Sequence, residues 1–515
     1  HNNSGITSSM SLDYASQPVL FGAANGDLAG ESVVMLDSGE ALGAVGSGAT
    51  AAAIVGSPNG NGGEGCVDVY IWGEDSSTAI TSTEFSNKLA TYGANYTYDI
   101  PSSALVNDTW QRVGTTITVP STYLTSTYGA TGSEFGFSVS ASSDGTRIAI
   151  GAPGRPGTTP YYADTYSGSV YIFKWDSGTG TWVPDQFGAS PTIVAPSASG
   201  YHKNGTNGVN ARFGHSVSMS ADGNRVVVGV PHYGGYDFNF GGYTYTGRVH
   251  VYEREIYGYD GFGQEQVRWN EMNPGTESYG NGDLLSSVLE FSSIQPTAQF
   301  GRSVSMTSDG NRIAVGVPGY TYPEPANVAN QNPDNGCALV YDWNGSTGAG
   351  KWHMGSSAFN ATTVYHDPTT TQVAGGPSYG TNTGWSVAIS GDGTRMVVGV
   401  PKYHAPNEQT IARGCVVVYD ISGPATVPST WPTTSDLIYE TTGTKQFELG
   451  RDVDISNDGN RIAVSGYFVS GETLTGNSVT NCGIVRTYHW SVEVDDQPPP
   501  VGTGSGPNGT FRWNR

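Results

Sequence analysis

The chain has only four cysteines in 515 residues, so a disulfide lattice is not what holds it together, and no C-x-x-C pair offers a redox or zinc site. Basic residues are scarce: 23 Lys and Arg stand against 45 Asp and Glu, a formal net charge of −22. A surface of that sign repels phosphate backbones and anionic headgroups, which argues against nucleic acid as a partner. No apolar run approaches the roughly 18 residues that span a bilayer, which argues against membrane insertion. No H-E-x-x-H occurs, and the nine His share no ligand spacing. A basic-then-apolar leader is missing too; the first residue is His1, and the expectation is a leader removed before it.

Glycine and proline are abundant, with 73 Gly and 28 Pro. Hydrophobic residues at 37% and aromatics at 11% are enough for a packed core, so those Gly and Pro mark turns rather than disorder.

The turns recur. FGFSVSASSDGTRIAIGAP at 135–153 is matched by FGHSVSMSADGNRVVVGVP at 213–231, FGRSVSMTSDGNRIAVGVP at 300–318, GWSVAISGDGTRMVVGVP at 384–401 and LGRDVDISNDGNRIAV at 449–464. A degenerate sixth copy, AGESVVMLDSGEALGAV, lies at 29–45 and is followed by AAAIVGSP at 51–58. After each copy comes a variable loop and a second signature, such as GSVYIFKW at 168–175 or GCVVVYD at 414–420. A weaker element marked by Trp110, Trp182, Trp269, Trp352 or Trp431 follows the first five.

Each piece has a physical reading. Ser303 to Thr307 alternates polar and apolar residues, as a half-covered strand does. Asp309-Gly310 supplies the positive φ that a tight hairpin needs. Ile313 to Val317 is almost continuously apolar, as a strand covered on both faces is, and Pro318 ends it by withholding a ladder donor. Gly316, with Gly151, Gly229 and Gly399 at the same place, lets a neighbouring sheet approach. The unit is therefore strand, turn, strand, loop, strand, loop, strand.

Six such units cannot bury both faces of each sheet alone, but stacked radially they can. The expected fold is all-β: a single β-propeller of six blades with four antiparallel strands each, seven blades being the alternative count. The sixth unit ends at Trp490 without a fourth strand, so Gln17 to Gly22 is expected to join the last blade and close the ring. The domains are then a tail at 1–18, the propeller at 19–490 and a Pro/Gly-rich tail at 491–515.

The Phe-Gly pairs at 135, 213 and 300, with Gly-Ala-Pro at 151–153 and Gly-Val-Pro at 229, 316 and 399, resemble the FG-GAP repeat of integrin α-type propellers and secreted microbial proteins. The resemblance implies the propeller and an adhesion, scaffold or enzyme role. Its calcium-binding members carry D-x-D-x-D-G, whereas each turn here has one carboxylate, too few oxygens for Ca²⁺, so neither metal nor cofactor is carried over. Arg147, Arg225, Arg312, Arg395 and Arg461 recur at fixed spacing and are expected to make structural Asp or carbonyl contacts. In the family the loops after the second strand lie on the ligand-bearing face. Here they hold Tyr161, Tyr162, Tyr233, Tyr236, Phe238, Phe240, Tyr243, Tyr245, Tyr320, Tyr322 and Tyr403, either a surface for glycans or a protein partner, or cover for blade edges.

Cys66, Cys337 and Cys415 occupy one position of the third strand, with Cys482 two residues upstream of it. Disulfides Cys337–Cys415 and Cys66–Cys482 are one reading, buried thiols the other. The sequons at Asn2, Asn95, Asn107, Asn204, Asn344, Asn360 and Asn508 would accept glycans in a secreted chain. Gly60-Asn61-Gly62-Gly63-Glu64-Gly65 fits the dinucleotide glycine pattern, but in a loop without a following helix, where it carries no function. No compact acidic cluster or nucleophile stands out, so the chain reads as non-catalytic. The terminal tails have no core of their own, and the simplest holder for one is the next copy of the same chain, with Phe511 and Trp513 as the aromatic grip. The expectation is an extracellular structural propeller, the head-to-tail subunit of a fibre or surface appendage; the alternative is a monomeric adhesion or glycan-binding propeller.

Overall fold

The structure is a computed structural model and describes residues 28–36, 51–79, 106–120, 132–154, 168–185, 192–194, 211–233, 236–237, 242–243, 246–261, 263, 265–272, 288–289, 297–320, 336–344, 351–353, 363–364, 380–403, 414–421, 435–439, 448–472, 478–493 and 510–514. Six antiparallel sheets follow one another along the chain, their strands hydrogen-bonded in sequence order. Sheet one is Ser32–Leu36, Ala51–Ser57, Cys66–Ala79 and Val106–Arg112. Sheet two is Ser138–Ala141, Arg147–Ala152, Ser169–Asp176 and Thr181–Pro184. Sheet three is Ser216–Met219, Arg225–Val230, Arg248–Tyr259 and Glu265–Glu271. Sheet four is Val304–Met306, Arg312–Val317, Cys337–Asn344 and Lys351–His353. Sheet five is Val387–Ile389, Arg395–Val400, Cys415–Asp420 and Ser435–Tyr439. Sheet six is Val453–Ile455, Arg461–Glu472, Ser478–Glu493 and Thr510–Asn514. Short strands at Thr192–Val194, Val288–Leu289 and Thr363–Val364 also pair with the third strands of sheets two, three and four.

The hairpin between first and second strands forms for the reason its sequence gives. Asp309 Oδ1 accepts hydrogen bonds from the Thr307 hydroxyl at 2.6 Å and the Asn311 N–H at 3.0 Å, while Gly310 takes φ 69°. The same arrangement recurs at Asp144, Asp222, Asp392 and Asp458. In the strands that follow in sheets two to five, every residue after the opening Arg is buried, as in Ile313 to Val317.

Packing between sheets follows a second repeated rule. The first strand of each sheet lies against the first strand of the next, from sheet one through sheet six. Five apolar clusters hold the chain together, one at each of these five seams. In the third-to-fourth seam Val227, Val249 and Val251 of one sheet meet Phe300, Val304 and Met306 of the next. Close approach needs glycine here: a Cβ on Gly229 would run into the Gly301 carbonyl. Serine hydroxyls tie the same seams, Ser32 to the Gly136 carbonyl at 2.9 Å, Ser138 to Gly214 at 2.8 Å, Ser216 to Gly301 at 3.0 Å and Ser386 to Gly450 at 2.9 Å.

The sixth sheet corrects one expectation. Its fourth strand is Thr510–Asn514, paired from His489↔Asn514 to Glu493↔Thr510, so the C-terminal end supplies the strand expected from residues 17–22. Part of the expected 491–515 tail thus belongs to a sheet, and residues 17–22 lie outside the described residues.

Candidate functional site: the common cavity and the sixth seam

The first strands of all six sheets line one cavity of about 1600 Å³. At one rim stands the residue after each Phe-Gly or its equivalent: Glu31, Phe137, His215, Arg302, Trp385 and Arg451. Guanidinium groups and rings alternate there. Arg302 lies 3.7 Å and Arg451 4.6 Å from the Trp385 ring centre, and Arg212 lies 5.1 Å from that of Phe137. Arg212 pairs with Glu134 at 2.7 Å and Arg451 with Glu448. The position of Glu134 and Glu448 is held by Gln299 in sheet four, and Arg302 Nε is buried without a hydrogen bond. Burial first, then Arg451 and Arg212, bring the Arg302 pKa down to about 10. Burial and the same cationic surroundings hold His215 well below its ordinary value and His232 at about 4, so both are neutral at pH 7. His215 Nδ1 donates to the Arg302 carbonyl at 3.1 Å.

Among the described residues the repeated seam is not made between sheet six and sheet one. Val485 is 72% exposed, whereas its counterparts Val67, Val170, Val249, Ala338 and Val416 are 0% exposed. On the facing side Val33 and Met35 are 51% and 59% exposed, while Val217, Met219, Val304 and Met306 in the same places are buried. Among the described residues no apolar cluster joins these two sheets, and the cavity extends between Ser32–Leu36 and residues 487–490.

Three substitutions explain the gap. Ser465 stands where Gly229 or Gly399 lets sheets touch, so it brings a Cβ to a place without room for one. Asp452 replaces the serine that donates across the other seams, and an ionised carboxylate has no proton to give. Ala29 replaces the plug residue that is Phe135, Phe213 or Phe300 elsewhere, each 0% exposed. Asp452 and Asp454 instead accept the N–H of Val453 at 3.1 Å and of Ile455 at 2.9 Å. Surrounding protein raises the pKa of both although they open onto the cavity; for Asp452, Asp454 and Glu31 add to the rise.

The repeated arginines act across seams. Arg225 donates to the Gly310 carbonyl at 3.1 Å and to Asn311 at 2.6 Å; Arg312 donates to the Gly393 carbonyl at 2.7 Å and pairs with Asp342 at 2.6 Å. Arg395 reaches the Gly459 carbonyl at 2.9 Å and Arg147 the Asp222 carbonyl at 3.4 Å. These are the carbonyl contacts expected of them, made to the next sheet's turn. Gly60–Gly63 is a single four-residue helical turn between strands, with non-helical backbone at Asn61 and Gly62, too short and irregular to cap a dinucleotide phosphate. Among the described residues no three His, Cys, Asp or Glu converge as metal ligands.

Other sequence candidates fare differently. Cys337 and Cys415 are free, fully buried thiols in two different seam clusters, which overturns the proposed Cys337–Cys415 disulfide. Burial raises the pKa of both. No disulfide occurs among the described residues; Cys66 is a buried thiol, and the side chain of Cys482 lies outside the description. Tyr320 and Tyr403 are buried, their carbonyls accepting from Gly336 and Gly414, and Tyr233 packs 3.8 Å beneath Arg248; they are packing residues rather than a ligand surface. The backbones of Tyr236 and Tyr243 are register partners in a two-stranded ladder. Tyr161, Tyr162, Phe238, Phe240, Tyr245 and Tyr322 lie outside the described residues, as do Asn2, Asn95, Asn204, Asn360 and Asn508. Asn107 and Asn344 fall within strands, and Phe511 and Trp513 within the fourth strand of sheet six. The rim and the sixth seam were missed, although aligning the copies shows their signals: LGRDVD against FGRSVS, and Ser465 against glycine.

Among the described residues no helix is long and apolar enough to cross a membrane. No curated protein matches the chain. The FG-GAP repeat matches residues 122–173, which take in the first two strands of sheet two and Ser169 to Phe173 of its third. The Phe-Gly plug, the Asp-Gly hairpin and the Gly-Ala-Pro approach all lie on that segment, so residues 122–173 carry an FG-GAP repeat.

Proposed function

We propose that the chain is a non-catalytic, extracellular six-bladed β-propeller that serves as the repeating subunit of a fibre or surface appendage, joined head to tail through its C-terminal strand. The observation that carries this reading is the position of Thr510–Asn514, which completes sheet six after the intervening residues 494–509, a Pro/Gly-rich stretch. A neighbour's tail can make the same ladder in the same register. Exchange of that kind is heterologous, and a heterologous contact that does not close generates an open chain of subunits. The extracellular placement rests on the FG-GAP repeat and its known settings. An adhesion or glycan-binding role through the Tyr-rich loops has less support, because Tyr320 and Tyr403 are buried.

The test mixes two variants, Trp490→Cys in one chain and Trp513→Cys in another, at positions paired in the ladder. Interchain disulfides and a ladder of oligomers are expected. Cross-linking confined to a chain carrying both substitutions would show that the tail stays at home, and would end the proposal.

A further inference from the structure

In a chain of net charge −22, three of the 23 Lys and Arg converge at one rim of the common cavity: Arg212, Arg302 and Arg451. They stand close enough that Arg451 and Arg212 both lower the Arg302 pKa. Two of the three charges are answered, Arg212 by Glu134 at 2.7 Å and Arg451 by Glu448. The third is not. Its own copy of the repeat has the neutral Gln299 where the others have those glutamates, and its guanidinium makes no hydrogen bond or ion pair among the described residues. Glu31 and Asp454, acids of the same cavity, act on Asp452 rather than on Arg302. The side chain of Arg302 is held all the same, 3.7 Å from the centre of the Trp385 ring, which Arg451 approaches to 4.6 Å. A desolvated cation without a counter-ion is costly, and the fixed fork of a guanidinium matches the paired oxygens of an oxyanion.

We propose that this rim is a binding site for one small oxyanion, a carboxylate or a sulfate, which takes its hydrogen bonds from the Nη groups of Arg302, with Arg212 and Arg451 flanking it. Arg302 Nε is buried without a hydrogen bond, as is Arg212 Nε, so the outer nitrogens are the ones left to donate into the cavity. Neutral His215 next to Arg302 sets no opposing charge against the anion. The cavity, about 1600 Å³, has room for a free ion and equally for the anionic group of an acidic sugar. The acidic surface beyond the rim disfavours a long polyanion, which is why the ligand is a single small group. The inference is independent of tail exchange at sheet six.

The test is equilibrium dialysis of the full chain against radiolabelled sulfate at fixed ionic strength, with unlabelled acetate and glucuronate as competitors. Saturable binding is expected, weakened about tenfold or more in Arg302→Met, which loses a charge-assisted pair of hydrogen bonds. Arg268→Met, which removes an exposed arginine already paired with Glu255, should bind as the unsubstituted chain does. Glucuronate competing better than acetate identifies an acidic sugar as the source of the anion, and equal competition identifies a free ion. Binding that does not saturate, that Arg302→Met leaves unchanged, or that both variants lose alike overturns the proposal. Phenylglyoxal modification of the unsubstituted chain gives a second readout that no folding defect can confuse. Sulfate should slow modification of Arg302 several-fold and leave Arg268 unaffected, and equal rates at Arg302 with and without sulfate contradict the assignment.

Discussion

Five seams of this molecule and the sixth are built from the same strands at the same registers, yet among the described residues five are packed and one is bare. The difference lies in three positions per seam: a glycine without a Cβ, a serine that donates across, and a plug residue after a left-handed turn. Where all three are present, valines at the centre are fully buried; where Ser465, Asp452 and Ala29 replace them, Val485 is 72% exposed. Packing of a repeat is thus decided at its contact points rather than by its strands, as expected when each sheet buries its faces only against neighbours.

The sharpest way to break the comparison is at a plug. Phe213→Ala should cost about 3–5 kcal/mol in denaturant unfolding, since the ring is wholly enclosed. At the centre of a packed seam Val249→Ala should cost about 1.5–3 kcal/mol. Its counterpart Val485→Ala, at an exposed side chain, should stay within about 0.5 kcal/mol. Equal large costs at both places would contradict the difference between seams.

A glycine test is next in size. Gly229→Ala places a Cβ against the Gly301 carbonyl and should lower stability by about 1–3 kcal/mol, whereas Ser465→Ala should be close to neutral. Loss of a cross-seam arginine should fall in the same range. Arg312→Ala removes bonds to the Gly393 and Ile421 carbonyls and to Asp342, for about 1–3 kcal/mol.

Much of this was legible in the sequence. The hairpin, the doubly covered second strand and the glycine approach all follow from local rules that the copies repeat, and in sheets two to five they stand in the structure as read. The outer strand of sheet six was not legible, because Thr510 to Asn514 lies beyond a Pro/Gly stretch and no short-range rule pairs it with residues 489–493. The cysteine pairing failed for a related reason. Equivalent positions in adjacent sheets are a whole sheet apart, so Cys337 and Cys415 face different cores. The Tyr residues after the second strand carried a surface expectation, but Tyr320 and Tyr403 are buried in the clusters between sheets.

The smallest expected effect has opposite signs in the two kinds of seam. In Asp144, Asp222, Asp309 and Asp392 burial raises the pKa, but hydrogen bonds from Ser or Thr, from the backbone and from neighbouring side chains outweigh it, leaving each below the ordinary 3.8. Their stabilisation is present above that value and is lost as pH falls through the lowered pKa. Asp452 and Asp454 have raised values, so their penalty is absent below 3.8 and grows as pH rises through the raised pKa. Asp452→Asn should therefore gain up to about 1 kcal/mol at neutral pH and nothing at pH 3, a small effect because the carboxyl opens onto the cavity. Asp309→Asn should lose stability at neutral pH. Thermal melts of the two variants across pH 3 to pH 7 separate them.

The central claim, that five seams close sheet on sheet and the sixth does not, is tested most directly by an experimental structure of the intact chain. The account predicts that Val485 makes no contact with Val33 or Met35 and that all three stay exposed. Val485 packed directly on Val33, with Ser465 against Gly30 as Gly229 is against Gly301, would contradict it.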